Sequence, residues 1–368
     1  MATIYAIILL LNFVFLSHQQ QQCVISKYED VDSVVSSCTD IAVDDLIVPA
    51  GKALTLDLQE GTKLTLRGNI SFEFDYWAGP VLLISGSSLT VVGEPGSIYD
   101  GLGARYWDGQ GSWGTFIKPK MMRIEAQDSV FANIALLNCP IACTSISNSN
   151  NITITNWNVD ISIADEDVAP PNKFGHNTDG FQISNSSFVT IQNSIIYNQD
   201  DCVVVNSGSD ILVENLFCHG SHGLSLSVGF SNDSFVKNSV DNVTVRNSTL
   251  VNGENAIHIK THTNAGQGLI SNILYEDITF EGPILFGINV QQNYVNTPAN
   301  ETVKPAPVGN IPIVNLTLSN IAGSVPAEAV PVYISCAEGA CLNWSWSNVN
   351  VTGAEPSDCN FDPVGYKC

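Results

Sequence analysis

The sequence is short of positive charge. Fourteen Lys and Arg stand against 36 Asp and Glu, a formal net charge of −22, which argues against a nucleic-acid partner because such binding rests on cations laid along phosphates. It does not exclude a polyanionic substrate, since screening confines exposed charges to roughly 8–10 Å and a local basic cluster can oppose the global field. Helical periodicity is nearly absent, which leaves out helix bundles. No two cysteines are spaced C-x-x-C, so a structural zinc site is not expected. Only the stretch Ile4 to Leu16 is a long apolar run, and it is too short to span a bilayer comfortably. Its N-terminal position makes it a signal peptide, with cleavage near Ser17 to Gln20. The expected plan is therefore a signal over 1–18 and one domain over 19–368, secreted, with no membrane attachment after processing.

What is present fits that plan. Ten cysteines lie in five neighbouring pairs along the chain, Cys23/Cys38, Cys139/Cys143, Cys202/Cys218, Cys336/Cys341 and Cys359/Cys368, as suits an oxidising compartment. N-glycosylation sequons occur at Asn69, Asn151, Asn185, Asn232, Asn242, Asn247, Asn300, Asn315, Asn343 and Asn350, some of them false positives because Asn is common here for a structural reason.

That reason is a repeat. "NITITNW" at 151, "FVTIQNS" at 188, "DILVENL" at 210, "NVTVRNS" at 242, "NILYEDI" at 272 and "NLTLSNI" at 315 are short β-branched runs closed by Asn, Asp or Ser. A second set interleaves: "DGFQIS" from Asp179, "DCVVVN" from Asp201, "HGLSLS" from His222, "NAIHIK" from Asn255 and "FGINVQ" from Phe286, with starts separated by 22, 21, 33 and 31 residues. Repeats of this length, one supersecondary unit each, mean a solenoid. With strands and almost no helix, the expected fold is an all-β parallel β-helix, its Asn and Ser serving αL turns and side-chain ladders. A β-propeller is the runner-up, but its antiparallel blades need hairpin signals that are sparse here. Cys23 to about Val48 and Ala354 to Cys368 read as terminal caps.

Stacking gives the acidic residues a geometry. Equivalent positions of neighbouring coils lie roughly 4.8 Å apart, and the repeat puts Asp179, Asp201 and His222 at the first position of three consecutive coils, with Asp200 one residue earlier. Three carboxylates and a histidine then converge on the outer face of one sheet, where none has to enter the core. Like charges this close force one pKa upward. One acid kept protonated beside another ionised is what general acid–base hydrolysis of a glycosidic bond requires. Bound calcium is a further reading of clustered oxygens.

These residues also carry a resemblance. "NTDG" (Asn177–Gly180), "NQDD" (Asn198–Asp201), "SHG" (Ser221–Gly223), "HIK" (His258–Lys260) and "QQNY" (Gln291–Tyr294) resemble, in order and spacing over most of the chain, the motif set of the polygalacturonases, glycoside hydrolase family 28. The resemblance implies a right-handed parallel β-helix and hydrolysis of α-1,4-galacturonan in pectin with inversion, more often endo than exo. It implies Asp200 as general acid, Asp179 and Asp201 as the pair that activates water, and His222 as the histidine beside the acid. It makes Asn177, His258, Lys260 and Tyr294 substrate contacts, Lys260 to a substrate carboxylate. It also implies the disulfides Cys23–Cys38, Cys202–Cys218, Cys336–Cys341 and Cys359–Cys368. Cys139 and Cys143 fall outside that set and either pair or stay free. No cofactor or metal is implied. The expected partners are pectin or polygalacturonate and plant inhibitor proteins, and a monomer is expected.

Three departures stand out. The family usually has Arg-Ile-Lys where this chain has His258-Ile259-Lys260. It commonly has Gly where Ser221 stands, and a more Gly- and Arg-rich segment in place of "SVGFSND". Arg offers a carboxylate a fixed, always charged fork and His does not, although an imidazolium at 258 would still attract a substrate carboxylate. The alternatives are therefore a silent relative that binds pectin fragments, an exo-acting enzyme, or one turned to rhamnogalacturonan or xylogalacturonan. A pectate lyase is the least expected.

Overall fold

The computed structural model describes residues 22–297 and 305–368. The signal peptide expected over 1–18 and the sequon at Asn300 lie outside them. The chain is wound into a right-handed parallel β-helix, and the described strand pairings are parallel, which removes the propeller. One ladder runs Phe181↔Val203↔Leu224↔Ile257↔Ile288, steps of 22, 21, 33 and 31 residues, the intervals the repeat predicts. A second runs Ile152↔Val189↔Ile211↔Val243↔Ile273↔Leu316. Extended strands send alternate side chains to opposite faces, so each ladder buries one column: these six aliphatics are all at most 2% exposed.

The turns between sheets use Asn for its tolerance of positive φ. Asn151, Asn242, Asn272 and Asn315 share one corner at φ +54 to +57°. Their amides link coil to coil, Asn315 Nδ2 to Asn272 Oδ1 at 2.9 Å, for example. Phe188 occupies the same corner at φ +55°, where a bulky side chain has no such compensation. The nine sequon asparagines among the described residues are all exposed.

Both ends are covered as expected. The strand Cys23–Ile25 and the helix Val31–Ser37 close one end, joined by Cys23–Cys38. At the other, Phe361 and Tyr366 pack on the buried Trp344 and Trp346. The four disulfides implied by the resemblance are formed, and Cys139 pairs with Cys143. Among the described residues no helix is long and apolar enough to cross a membrane.

Candidate active site

Three successive rungs deliver the acidic cluster. Asp179, Asp201 and His222 each precede their strands, Phe181–Ser184, Val203–Val205 and Leu224–Val228, by two residues. The register that pairs Phe181, Val203 and Leu224 therefore aligns them. Asn198, fully buried, pins the turn: its Nδ2 donates to the carbonyls of Thr178 (3.1 Å), Asp200 (2.8 Å) and Asp201 (3.0 Å). Gly180 is required beside it, because a Cβ there would lie 2.5 Å from the Cys202 carbonyl.

The acids lie on the outer face, as expected, yet they are not solvated. Asp179, Asp200 and Asp201 are 6%, 7% and 3% exposed, covered by the side chains that bind them. Both oxygens of Asp200 accept hydrogen bonds, Oδ1 from the Asp201 amide (2.7 Å) and Oδ2 from Asn177 Nδ2 (3.0 Å). His222 bridges two carboxylates, Nδ1 3.4 Å from Asp200 and Nε2 3.4 Å from Glu254. Lys260 Nζ lies 3.0 Å from Asp201 Oδ2, and Ser225 Oγ donates to the other oxygen. Tyr294 lies beneath the Lys260 ammonium, its ring centroid 5.2 Å away. The Asp200–His222 pair separates two cavities. One of about 1230 Å³ is lined by His222, Glu254, His176 and Trp113. The other, of about 530 Å³, is lined by the three acids, Asn177, Lys260 and Tyr294.

Residues 38–368 match the family model described as glycosyl hydrolases family 28. The chain belongs to that family. It is 44% identical to a polygalacturonase of the beetle Phaedon cochleariae, with 94% of this chain and 93% of that protein covered. It is 38% identical to endopolygalacturonase A of Aspergillus niger, with 95% and 91% covered. Among solved structures it is similar to endopolygalacturonase I from Stereum purpureum, determined with two galacturonates, at a TM-score of 0.82 and 28% identity over 93% of this chain and 98% of that one.

For a family 28 glycoside hydrolase, the electrostatics of the cluster are informative. Burial first, then Asp200 and Asp201, push the Asp179 carboxyl up to about 8. Burial acts on Asp200 too, but the charge and hydrogen bond of His222 and the charge of Lys260 outweigh it and hold its carboxyl well below the usual range. Burial opposes the charge on His222, yet Glu254 and Asp200 raise its pKa to about 10. Lys260 keeps its proton against Asp201, and burial pushes the Asp201 carboxyl up against the pull of Lys260. In the free enzyme the protonated carboxyl is thus Asp179, while Asp200 is ionised and faces a protonated His222. This differs from the simplest expectation, in which the acid Asp200 carries its own proton.

His258 needs the larger correction. It is 6% exposed, with Nε2 3.0 Å from Gln291 Nε2 and Nδ1 buried. Burial and the charge of Lys260 drive its pKa well below 6.5, so it is a neutral imidazole, not the imidazolium that would attract a carboxylate. Lys260, expected to meet substrate, is engaged with Asp201 in the free state.

Four supporting residues lie outside the motifs. Ser225 and Ser227 alternate with core leucines in "LSLSV" and so face the cleft; that alternation was the available signal. Lys120 shares the register of Asp179 two rungs away, through Ala142, and its Nζ donates to Gln182 (2.9 Å). Glu254 sits in a loop and gave no periodic signal. Oxygens of the three acids lie within 4.8 Å of one another, close enough to seat a cation, but Lys260 and His222 already supply positive charge there.

Proposed function

We propose that this chain is a secreted polygalacturonase that hydrolyses α-1,4-galacturonosyl linkages of pectin from within the chain. The observation that carries this reading is the buried triad Asp179, Asp200 and Asp201 held between Lys260 and His222, on a chain 44% identical to a named polygalacturonase. Cavities on both sides of the Asp200–His222 pair support internal attack, since a polymer can run past the acids in both directions. The five disulfides favour an extracellular setting. The enzyme acts as a monomer, and an inhibitor protein covering the cleft is its expected protein partner.

In this mechanism a water molecule sits over Asp179 and Asp201. It attacks the anomeric carbon and gives its proton to Asp201, the ionised member of that pair, while Asp179 already carries one. The bond to the leaving oxygen breaks, and Asp200 protonates the oxygen with a proton drawn across the 3.4 Å contact from His222. Asn177, which donates to Asp200, orients the acid. The lysine, drawn partly from Asp201, meets a galacturonate carboxylate, and Tyr294 walls the cleft. The carboxyl groups are closer than the roughly 6.5–9.5 Å typical of inverting glycosidases. Inversion therefore requires the water to lie above the cluster, and the anomer formed first, read by proton NMR, tests it.

Product analysis on polygalacturonate tests the activity. A ladder of oligomers is expected, with Asp200→Asn reducing kcat by at least roughly 10²-fold, the lower range of general-acid contributions. Full activity in that variant would remove the role of Asp200. Binding of oligogalacturonides with no hydrolysis by the unaltered enzyme would replace the hydrolase with a fragment binder.

A further inference from the structure

The smaller cavity has an aromatic wall that the acid–base chemistry does not use. Phe230, in the loop after the strand Leu224–Val228, is 61% exposed and lines this cavity together with Lys237, Lys260, His262 and Tyr294. Its ring rests on His262, with centroids 4.4 Å apart, and His262 in turn meets Tyr294 edge-on at 5.0 Å. His262 is fixed from behind: Nε2 lies 3.1 Å from Ser227 Oγ, and burial followed by the charge of Lys260 lowers its pKa to about 4. The imidazole is a neutral flat support at the pH of the cell exterior. Gly229 lets the loop come this close. It sits at φ +122°, and a Cβ there would lie 2.8 Å from Ala265 Cβ and 3.0 Å from His262 Cβ. A large apolar ring held on a rigid base, half in water and continuous with the catalytic acids, has no packing reason to be exposed.

We propose that Phe230, backed by His262, is a sugar-stacking platform that sets the affinity of the cleft for longer oligogalacturonides, on the Lys260 side of the cleaved bond. A galacturonosyl ring presents one face of C–H groups, which suits the face of an aromatic ring in a pocket that combines apolar walls with a few placed charges. Its carboxylate has a counterion ready. Lys237 lines the same cavity, is exposed and forms no ion pair among the described residues. The segment "SVGFSND" thereby replaces positive charge with stacking: Phe230 takes over part of the holding that an Arg-rich loop and an Arg at position 258 would supply.

The inference rests on the polygalacturonase reading, and the test separates the two. Binding of tri- and hexagalacturonate is measured by calorimetry in the Asp200→Asn background, with and without Phe230→Ala and Phe230→Trp. Phe230→Ala is expected to weaken hexamer binding about tenfold, within what one aromatic contact supplies, with a much smaller loss for the trimer. Phe230→Trp restores the hexamer. Equal affinities with and without Phe230→Ala would overturn the platform, as would an equal loss at both lengths. Turnover of polygalacturonate by the unaltered enzyme is assayed in parallel. Its absence would overturn the hydrolytic reading and leave the binding comparison standing.

Discussion

A neutral imidazole sits at 258, next to a charged lysine that lines the smaller cavity, but is itself buried and lines neither cavity beside the acids. His258 and Lys260 project to the same outer face, because Ile257 and Ile259 between and beside them fill the core. Lys260 is tied to Asp201, and His258 is held through Nε2 by Gln291 with its Nδ1 buried. His258→Arg adds a permanent cation with forked donors. It is expected to lower KM on polygalacturonate about tenfold, the scale of one charge-assisted contact, and to leave kcat within about threefold. In the unaltered enzyme KM is expected to show no inflection near pH 6.5 from this residue, because His258 is already neutral there. An unchanged KM in the variant would mean that position 258 does not touch substrate. The identity of this residue was legible in the sequence; its charge was not, since that depends on burial and on the distance to Lys260.

At the scale of the coil, stacking makes sequence spacing into spatial position, which is why so much of the site could be read in advance. Asp179, Asp201 and His222 align because a parallel coil returns each strand to the same register. The cleft walls were not legible, because they come from loops of unequal length, such as the one carrying Phe230 and the one carrying Glu254. The turns obey the same rule as the strands, and one of them breaks it. Phe188 stacks between Asn151 and Asp210 at positive φ, but lacks the polar group that its neighbours use, the Asn151 amide donating to Asp128 and the Asp210 carboxylate accepting from Asn242. Phe188→Asn relieves a left-handed bulky residue and supplies a donor facing Asn151. The gain is expected to be about 1 kcal/mol, or about 2 °C in Tm. Asn at this position also creates a glycan acceptor with Thr190, so the melting curve belongs to protein from a host without N-glycosylation. An unchanged or lower Tm would show that the exposed ring is held by contacts worth as much as the ladder.

Over the whole molecule, the buried cluster links folding to pH. Folding raises Asp179 from 3.8 to about 8 and His222 from 6.5 to about 10. A raised carboxyl contributes stability that is full below the unfolded pKa and lost as pH rises through the folded one, and the same holds for the raised histidine. Between pH 6.5 and 8 both losses run together, because the folded state holds protons that the unfolded chain has released. Asp200, shifted down, acts only in the acid range around and below 3.8. His262, lowered from 6.5 to about 4, favours folding as pH rises, but only up to about 6.5. Above that point nothing in the cluster opposes the other two. Each proton corresponds to at most about 1.4 kcal/mol per pH unit, so the unfolding free energy is expected to fall on going from pH 6.5 to 8 with a slope of up to about 2.7 kcal/mol per unit. Urea midpoints across that range measure it. Asp179→Asn removes one of the two protons and is expected to cut the slope by about half, leaving the His222 share intact. A slope already halved in the unaltered enzyme would mean that Asp179 is ionised in the folded state, and a midpoint that stays level or rises from pH 6.5 to 8 would mean that neither Asp179 nor His222 holds its proton there.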